Sequence, residues 1–151
     1  MARWITEQVA ISGAAITAER WPELVEELGI SAVVNLRAEY QDVFAAPFPK
    51  AYLWLPVIDH TDPTVEQMLS GAQFIDAAVR SGQRVLVHCK MGIGRSPTLA
   101  AAYLVWRGAT VQEAVERVQA DKGLLGIGPV VSRVALREFA AFLENNRAGA
   151  R

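Results

Sequence analysis

Apolar positions along the chain follow two rhythms. Short runs rich in Val, Ile, Leu and aromatics at residues 8–11, 32–36, 52–57 and 84–88 predict strands. The second and fourth are continuous apolar runs, as central strands covered on both faces require. Between and after them the spacing turns helical. Residues 19–28 form one such stretch, ended by Gly29 as a C-terminal cap. Val65, Met68, Leu69, Ala72, Ile75 and Val79 fall on one helical face that stops near Gly82, and Thr64 with Gln67 can close a capping box at its start. A helix is predicted from Ser96, with Pro97 at its first position, to Arg107 before Gly108. The next opens with the Thr110 and Glu113 capping pair and buries Val111, Ala114, Val115 and Val118. A last helix presents Val131, Val134, Ala135, Phe139, Phe142 and Leu143, with a frayed tail after Asn145. Strands separated by helices predict an α/β fold: one mostly parallel sheet of about four to five strands with helices on both faces. Ligands of such sheets bind beyond the carboxyl ends of the strands, which points to residues 88–96.

Composition adds bounds. At 151 residues, 52% apolar and 21% charged, the chain can fill one core, and residues 1–151 read as one domain with no repeat or linker. A net charge of -1 gives no global sign of a nucleic-acid or membrane-surface partner. The longest apolar run, residues 99–106, is far short of the roughly 20 residues that cross a bilayer, so no stable membrane insertion is expected. The average hides an asymmetry: between Asp76 and Glu113 lie Arg80, Arg84, Lys90, Arg95 and Arg107 and no acidic residue, leaving -6 for the remainder. The same stretch holds the single cysteine, Cys89. One cysteine and two histidines form neither an intrachain disulfide nor a structural zinc cluster, and a cytoplasmic location is inferred from this and from an N-terminus without a long apolar run.

The segment His88-Cys89-Lys90-Met91-Gly92-Ile93-Gly94-Arg95-Ser96 joins a buried strand to a helix. Its glycines permit a tight turn with backbone N–H groups pointing inward, and the helix N-terminus adds the positive end of its dipole, so the loop can cradle an anion. Arg95 can close the rim with a two-pronged donor suited to phosphate oxygens. The cradle also favours the ionised sulfur of Cys89, since thiols at helix N-termini beside arginine titrate well below their usual value of about 8.5. Ser96 can donate its hydroxyl to that sulfur. A Walker A loop would need Gly-Lys before Ser or Thr, and a dinucleotide fingerprint would need glycine where Pro97 stands. An inert core cysteine is the common reading of a lone Cys. Against it, the pattern His-Cys-x-x-Gly-x-x-Arg-Ser/Thr arises by chance in such a chain less than about once in ten thousand.

These residues resemble the cysteine-dependent protein-tyrosine and dual-specificity phosphatases, whose motif is His-Cys-x5-Arg-Ser/Thr. The segment Leu55-Pro56-Val57-Ile58-Asp59-His60-Thr61-Asp62-Pro63-Thr64 resembles the general-acid loop of the compact dual-specificity branch, and Val33-Val34-Asn35-Leu36-Arg37 its second core strand. Residues 8–120 fit the pattern. The resemblance implies hydrolysis of a phosphate monoester without metal or other cofactor. Cys89 would attack phosphorus, the backbone from Lys90 through Met91, Gly92, Ile93 and Gly94 to Arg95 would bind the phosphate oxygens, and Asp59 would act as acid and then base, with Ser96 assisting the departing thiolate. Asp62 is the rival acid, read instead as a turn or capping residue before Pro63. His60 is read as a rim residue, His88 as a fixed ring bonded to the loop backbone, and Trp4, Trp21, Trp54 and Trp106 as packing or groove residues.

Two departures stand out: residues 121–124, Asp-Lys-Gly-Leu, replace an Arg-Pro pair of many relatives, and Pro97 stands where Gly or Ala is usual. The substrate implied is protein phosphotyrosine with phosphoserine or phosphothreonine. The alternatives are a phospholipid or phosphoinositide, suggested by the stretch at residues 36–41 and the His-Cys-Lys start, or a non-catalytic phosphate-binding module. A sulfurtransferase is disfavoured by the Arg-Ser ending. A monomer acting on a phosphorylated partner is expected.

Overall fold

The computed structural model describes residues 2–91, 93–120 and 128–149. Its elements are β1 (Arg3–Trp4), β2 (Val9–Ser12), α1 (Arg20–Leu28), β3 (Ile30–Arg37), β4 (Ala51–Val57), α2 (Val65–Arg80), β5 (Arg84–His88), α3 (Arg95–Trp106), α4 (Val111–Gln119) and α5 (Arg133–Gly149). The five strands lie in the order β1-β2-β5-β3-β4, all neighbours parallel except the antiparallel β1–β2 pair. All four predicted strands are present. The short edge strand β1 carries too few residues to show a period, and it was not anticipated.

β5 is central, and its alternation explains the continuous apolar run. Val85 and Val87 face the core shared with α2–α5, whereas Leu86 faces the smaller cluster closed by α1, with Ala10, Val33 and Trp21. Both anticipated capping boxes form, Thr64 with Gln67 and Thr110 with Glu113, and Gly29 takes the left-handed cap conformation at φ 68°. α3 is enclosed on nearly every side, from Arg95 through Tyr103. Its contact with α2 is close: a Cβ on Gly71 would lie 2.5 Å from Leu99 Cδ1.

Several sequence expectations are corrected. α3 begins at Arg95 behind Gly94, so Pro97 occupies the third helical position; it is still in the first turn, where no intrahelical donor is required. The helical assignment of α5 extends past Asn145 to Gly149. Val131 precedes that helix and Val134 is exposed, while Leu136, absent from the anticipated face, is fully buried. Trp21 is a core residue, but Trp4 and Trp54 are substantially exposed. Trp54 uses its indole N–H to donate to the Arg37 carbonyl at 2.7 Å, and Trp4 packs under the Arg84 guanidinium. Gly92 and the residue 121–124 departure lie outside the described residues.

Candidate active site

The parallel strands β2, β5 and β3 end together, and the residue 88–96 loop leaves from the middle one. Cys89 is 2% exposed and its N–H donates to the Ser12 carbonyl of the neighbouring strand at 3.3 Å. Its Sγ lies 3.2 Å from Ser96 Oγ, also fully buried. The two thus meet across the turn, as anticipated.

Two carbonyl grips shape the loop. Ala14 N–H donates to the Lys90 carbonyl at 2.7 Å, and Val130 N–H donates to the Ile93 carbonyl. The only cis peptide among the described residues is Ala46–Pro47, so the peptides following Lys90 and Ile93 are trans. In a planar trans peptide the N–H points opposite to the C=O. The N–H groups of Met91 and Gly94, two residues that line the cavity, are therefore turned away from the gripping segments. Among the described residues, no protein acceptor takes a hydrogen bond from the N–H groups of Lys90, Met91, Ile93 or Gly94. The backbone approaches closely at Gly13, where a Cβ would stand 2.7 Å from the Met91 carbonyl carbon. Ala14 itself has φ 70°, a left-handed conformation that costs a non-glycine residue energy and needs surrounding structure to hold it.

The cavity has a volume of about 340 Å³ and is bordered by Cys89, Arg95, Asp59, Met91, Ile93 and Val130, among others. Arg95 is almost entirely buried. Its guanidinium is not an open rim fork, because one edge is already taken. Nη1 donates to Glu39 Oε1 at 2.8 Å and to the Val57 carbonyl at 2.7 Å, and Nη2 donates to Glu39 Oε2 at 3.0 Å. A guanidinium has five N–H donors. Nε–H and the second Nη2 hydrogen thus remain for an incoming anion, with Asp59 Oδ1 3.5 Å from Nη2. The Arg95 hydrogen bond pulls the Glu39 carboxyl from 4.5 down to about 2, and the same bond raises Arg95. Glu39 has a sequence signal only in hindsight, as an acid just beyond the end of β3.

Asp59 sits at the cavity mouth, its Oδ1 also accepting from His60 N–H at 3.0 Å. The His60 side chain is exposed, as a rim residue would be, and its φ of 65° places a second strained non-glycine residue beside the site. Asp62 caps no helix: Thr64 caps α2, and Asp62 Oδ2 instead accepts from Ser132 Oγ at 2.9 Å. Ser132 in turn accepts from Ala135 N–H at the start of α5. Lys90 is exposed and borders an adjoining recess with Glu39, Ile58 and Asp59. The His88 ring is fixed, but not by the loop backbone: its nitrogens reach the Ala14 carbonyl and the buried carboxylate of Asp42. Among the described residues, no group of three or more His, Cys, Asp or Glu is placed to hold a metal ion.

Of the five basic residues between Asp76 and Glu113, only Lys90 and Arg95 border this region. Arg80 and Arg107 both pair with Asp76, at 2.8 Å and 3.3 Å, and Arg84 donates to the Leu28 carbonyl at the opposite end of β5.

The family profile described as dual specificity phosphatase, catalytic domain, matches residues 13–132. Dual specificity protein phosphatase 1-A of Xenopus laevis is 34% identical over 115 residues, covering 75% of this chain and 30% of that protein. The chain thus spans less than a third of that curated relative. Among solved structures, Tk-PTP in its active form superposes with a TM-score of 0.78 at 30% identity, covering 93% of this chain and 96% of that one. PTPMT1 in complex with PI(5)P superposes with a TM-score of 0.79 at 24% identity over 99% of each chain. The match over most of the chain makes this protein a member of the dual-specificity phosphatase family.

Proposed function

We propose that the protein hydrolyses phosphate monoesters through a phosphocysteine intermediate. The observation that carries this reading is the convergence of Cys89, Arg95 and Asp59 on one cavity, with Ser96 Oγ 3.2 Å from the Cys89 sulfur and backbone donors of the loop unspent. Cys89 Sγ forms a bond to phosphorus as the bond to the leaving oxygen breaks, and Asp59 supplies the proton that oxygen takes. The loop N–H groups from Lys90 to Arg95, Gly92 among them, and the free edge of Arg95 hold the equatorial oxygens. Water then attacks phosphorus, Asp59 accepts its proton, and the S–P bond breaks to a thiolate that Ser96 Oγ–H stabilises. His88 supports the loop. Substrate is read first as protein phosphotyrosine, with phosphoserine or phosphothreonine, acted on by a monomer in the reducing cytoplasm.

A second reading, a phosphoinositide or phospholipid substrate, is favoured by the apolar mouth, where Met91 and Val130 are 67% and 61% exposed. PTPMT1, solved with PI(5)P, is the relative that motivates the comparison. Release of p-nitrophenol from its phosphate should be insensitive to EDTA and blocked by vanadate. Cys89→Ser should abolish it, while Asp59→Ala should keep binding and slow turnover by about 10²- to 10⁴-fold. Normal turnover by either variant overturns the assignment, and a panel of phosphopeptides and phospholipid vesicles separates the two substrate readings.

A further inference from the structure

Behind the loop, on the α1 side of the sheet, lies a polar cluster that the proposed chemistry does not use. His88 and Asp42 form its centre, both side chains fully enclosed, with Nε2 2.6 Å from Asp42 Oδ2. The other ring nitrogen, Nδ1, is 3.1 Å from the Ala14 carbonyl. A carbonyl can only accept, so Nδ1 carries a hydrogen. Nε2 faces a carboxyl oxygen, so either Nε2 also carries a hydrogen or the carboxyl does. In both cases the pair holds one proton more than a carboxylate with a neutral imidazole.

Asp42 is held in turn: Oδ1 accepts from Ile16 N–H at 3.3 Å, and the Asp42 N–H reaches the Tyr52 hydroxyl at 3.4 Å. Tyr52 also takes a hydrogen bond from Asn35, and burial raises the Tyr52 phenol, keeping it neutral. The groups around the pair are thus neutral donors and acceptors, with Cys89 as the adjoining titratable residue.

The contacts connect in one direction. Asp42 fixes the His88 ring, the ring's Nδ1–H holds the Ala14 carbonyl, and the Ala14 N–H grips the Lys90 carbonyl. That last grip fixes the Lys90–Met91 peptide with the Met91 N–H turned away from Ala14. We propose that Asp42 is a positioning residue: through His88 and Ala14 it sets the orientation of the Lys90–Met91 peptide, and so the first inward donor of the phosphate loop. The role rests on the phosphatase reading of the site, but its structural part can be tested without it.

Asp42→Asn and Asp42→Ala separate geometry from mere stability. Asparagine can offer its amide N–H to an unprotonated Nε2, leaving Nδ1–H on the Ala14 carbonyl, so the chain of contacts survives with a neutral ring. Alanine removes the partner altogether. With p-nitrophenyl phosphate, well below each variant's melting temperature, Asp42→Asn should keep kcat within about threefold. Asp42→Ala should lose about 10- to 100-fold in kcat with little change in KM, the scale expected when a positioned group shifts by an ångström. A folded alanine variant with wild-type kcat, or an asparagine variant that loses as much as alanine, overturns the proposal.

Should Asp42→Ala fail to fold, the ¹⁵N shifts of His88 decide. Nδ1 should carry a hydrogen in the wild type and in Asp42→Asn alike; an unprotonated Nδ1 in either overturns the proposal. This measurement needs no turnover. A wild-type protein inactive on every phosphomonoester would therefore defeat the phosphatase reading while leaving the ring assignment to stand or fall by itself.

Discussion

At the scale of single residues, the site depends on side chains whose charge is already committed before any substrate arrives. Arg95 is the clearest case, with Glu39 and the Val57 carbonyl holding one edge and leaving the other free. Because the Glu39 carboxyl is held at about 2 against an ordinary 4.5, its contribution to stability is fully present above pH 4.5. It is lost progressively as the pH falls toward 2. The stability gap between the wild type and Glu39→Gln, measured by urea unfolding, should therefore be constant from pH 7 to about 5 and close between 4.5 and 2. A gap already closed at pH 5 would show that the ion pair does not hold in solution. The meeting of Cys89, Arg95 and Ser96 around one turn was legible in the sequence because a loop motif sets them within a few positions of one another. Glu39 and Asp42 were not, since each meets its partner from about fifty residues away and neither stands in a recognisable spacing. The ring of His88 was rightly read as fixed, yet its true partner could not be named until the strand register brought Asp42 beneath it.

At the scale of elements, α3 receives the loop, and the packing of α2 against it sets where the loop ends. Gly71 is the point of closest approach, with Leu99 Cδ1 and Cδ2 at 2.5 and 2.9 Å from an added Cβ and Leu55 Cδ1 at 3.2 Å. Gly71→Ala should gain about 1 kcal/mol of helix propensity but lose about 1–3 kcal/mol to overpacking. A net loss on the order of 1 kcal/mol in denaturant unfolding is expected, and a stabilised variant would contradict the close packing. Four of the five strands and both capping boxes were visible in the sequence because each depends on local pattern. What pattern could not show was how distant segments join, as where Ser132 at the start of α5 ties down Asp62 in the loop after β4.

For the whole molecule, the charge asymmetry along the sequence does not become a basic field at the site. Three of the five arginines and lysines of that stretch are spent on Asp76 or on the far end of β5, and Lys90 and Arg95 face Glu39 and Asp59. The formal charge of these four side chains sums to zero, so long-range steering of a dianion should be weak. Raising the salt from about 0.05 to about 0.3 M should then change kcat/KM for a small aryl phosphate by less than about threefold. A tenfold fall would instead reveal a basic field assembled elsewhere. The fold class was readable at this scale because alternating strands and helices admit few arrangements. The local field was not, because distance along a chain says little about distance in space. The two grips on the loop also differ in when a growing chain can make them. Ala14 precedes the loop, so its hold on Lys90 is available once β5 is added to the sheet. The hold on Ile93 comes from Val130, beyond α4 and at the threshold of the last helix. A ribosome that has delivered everything through α4 has produced the cysteine, the arginine and the whole sheet, but a loop pinned at one side only. Synthesis order thus delays the finished anion cradle until the C-terminal segment is made.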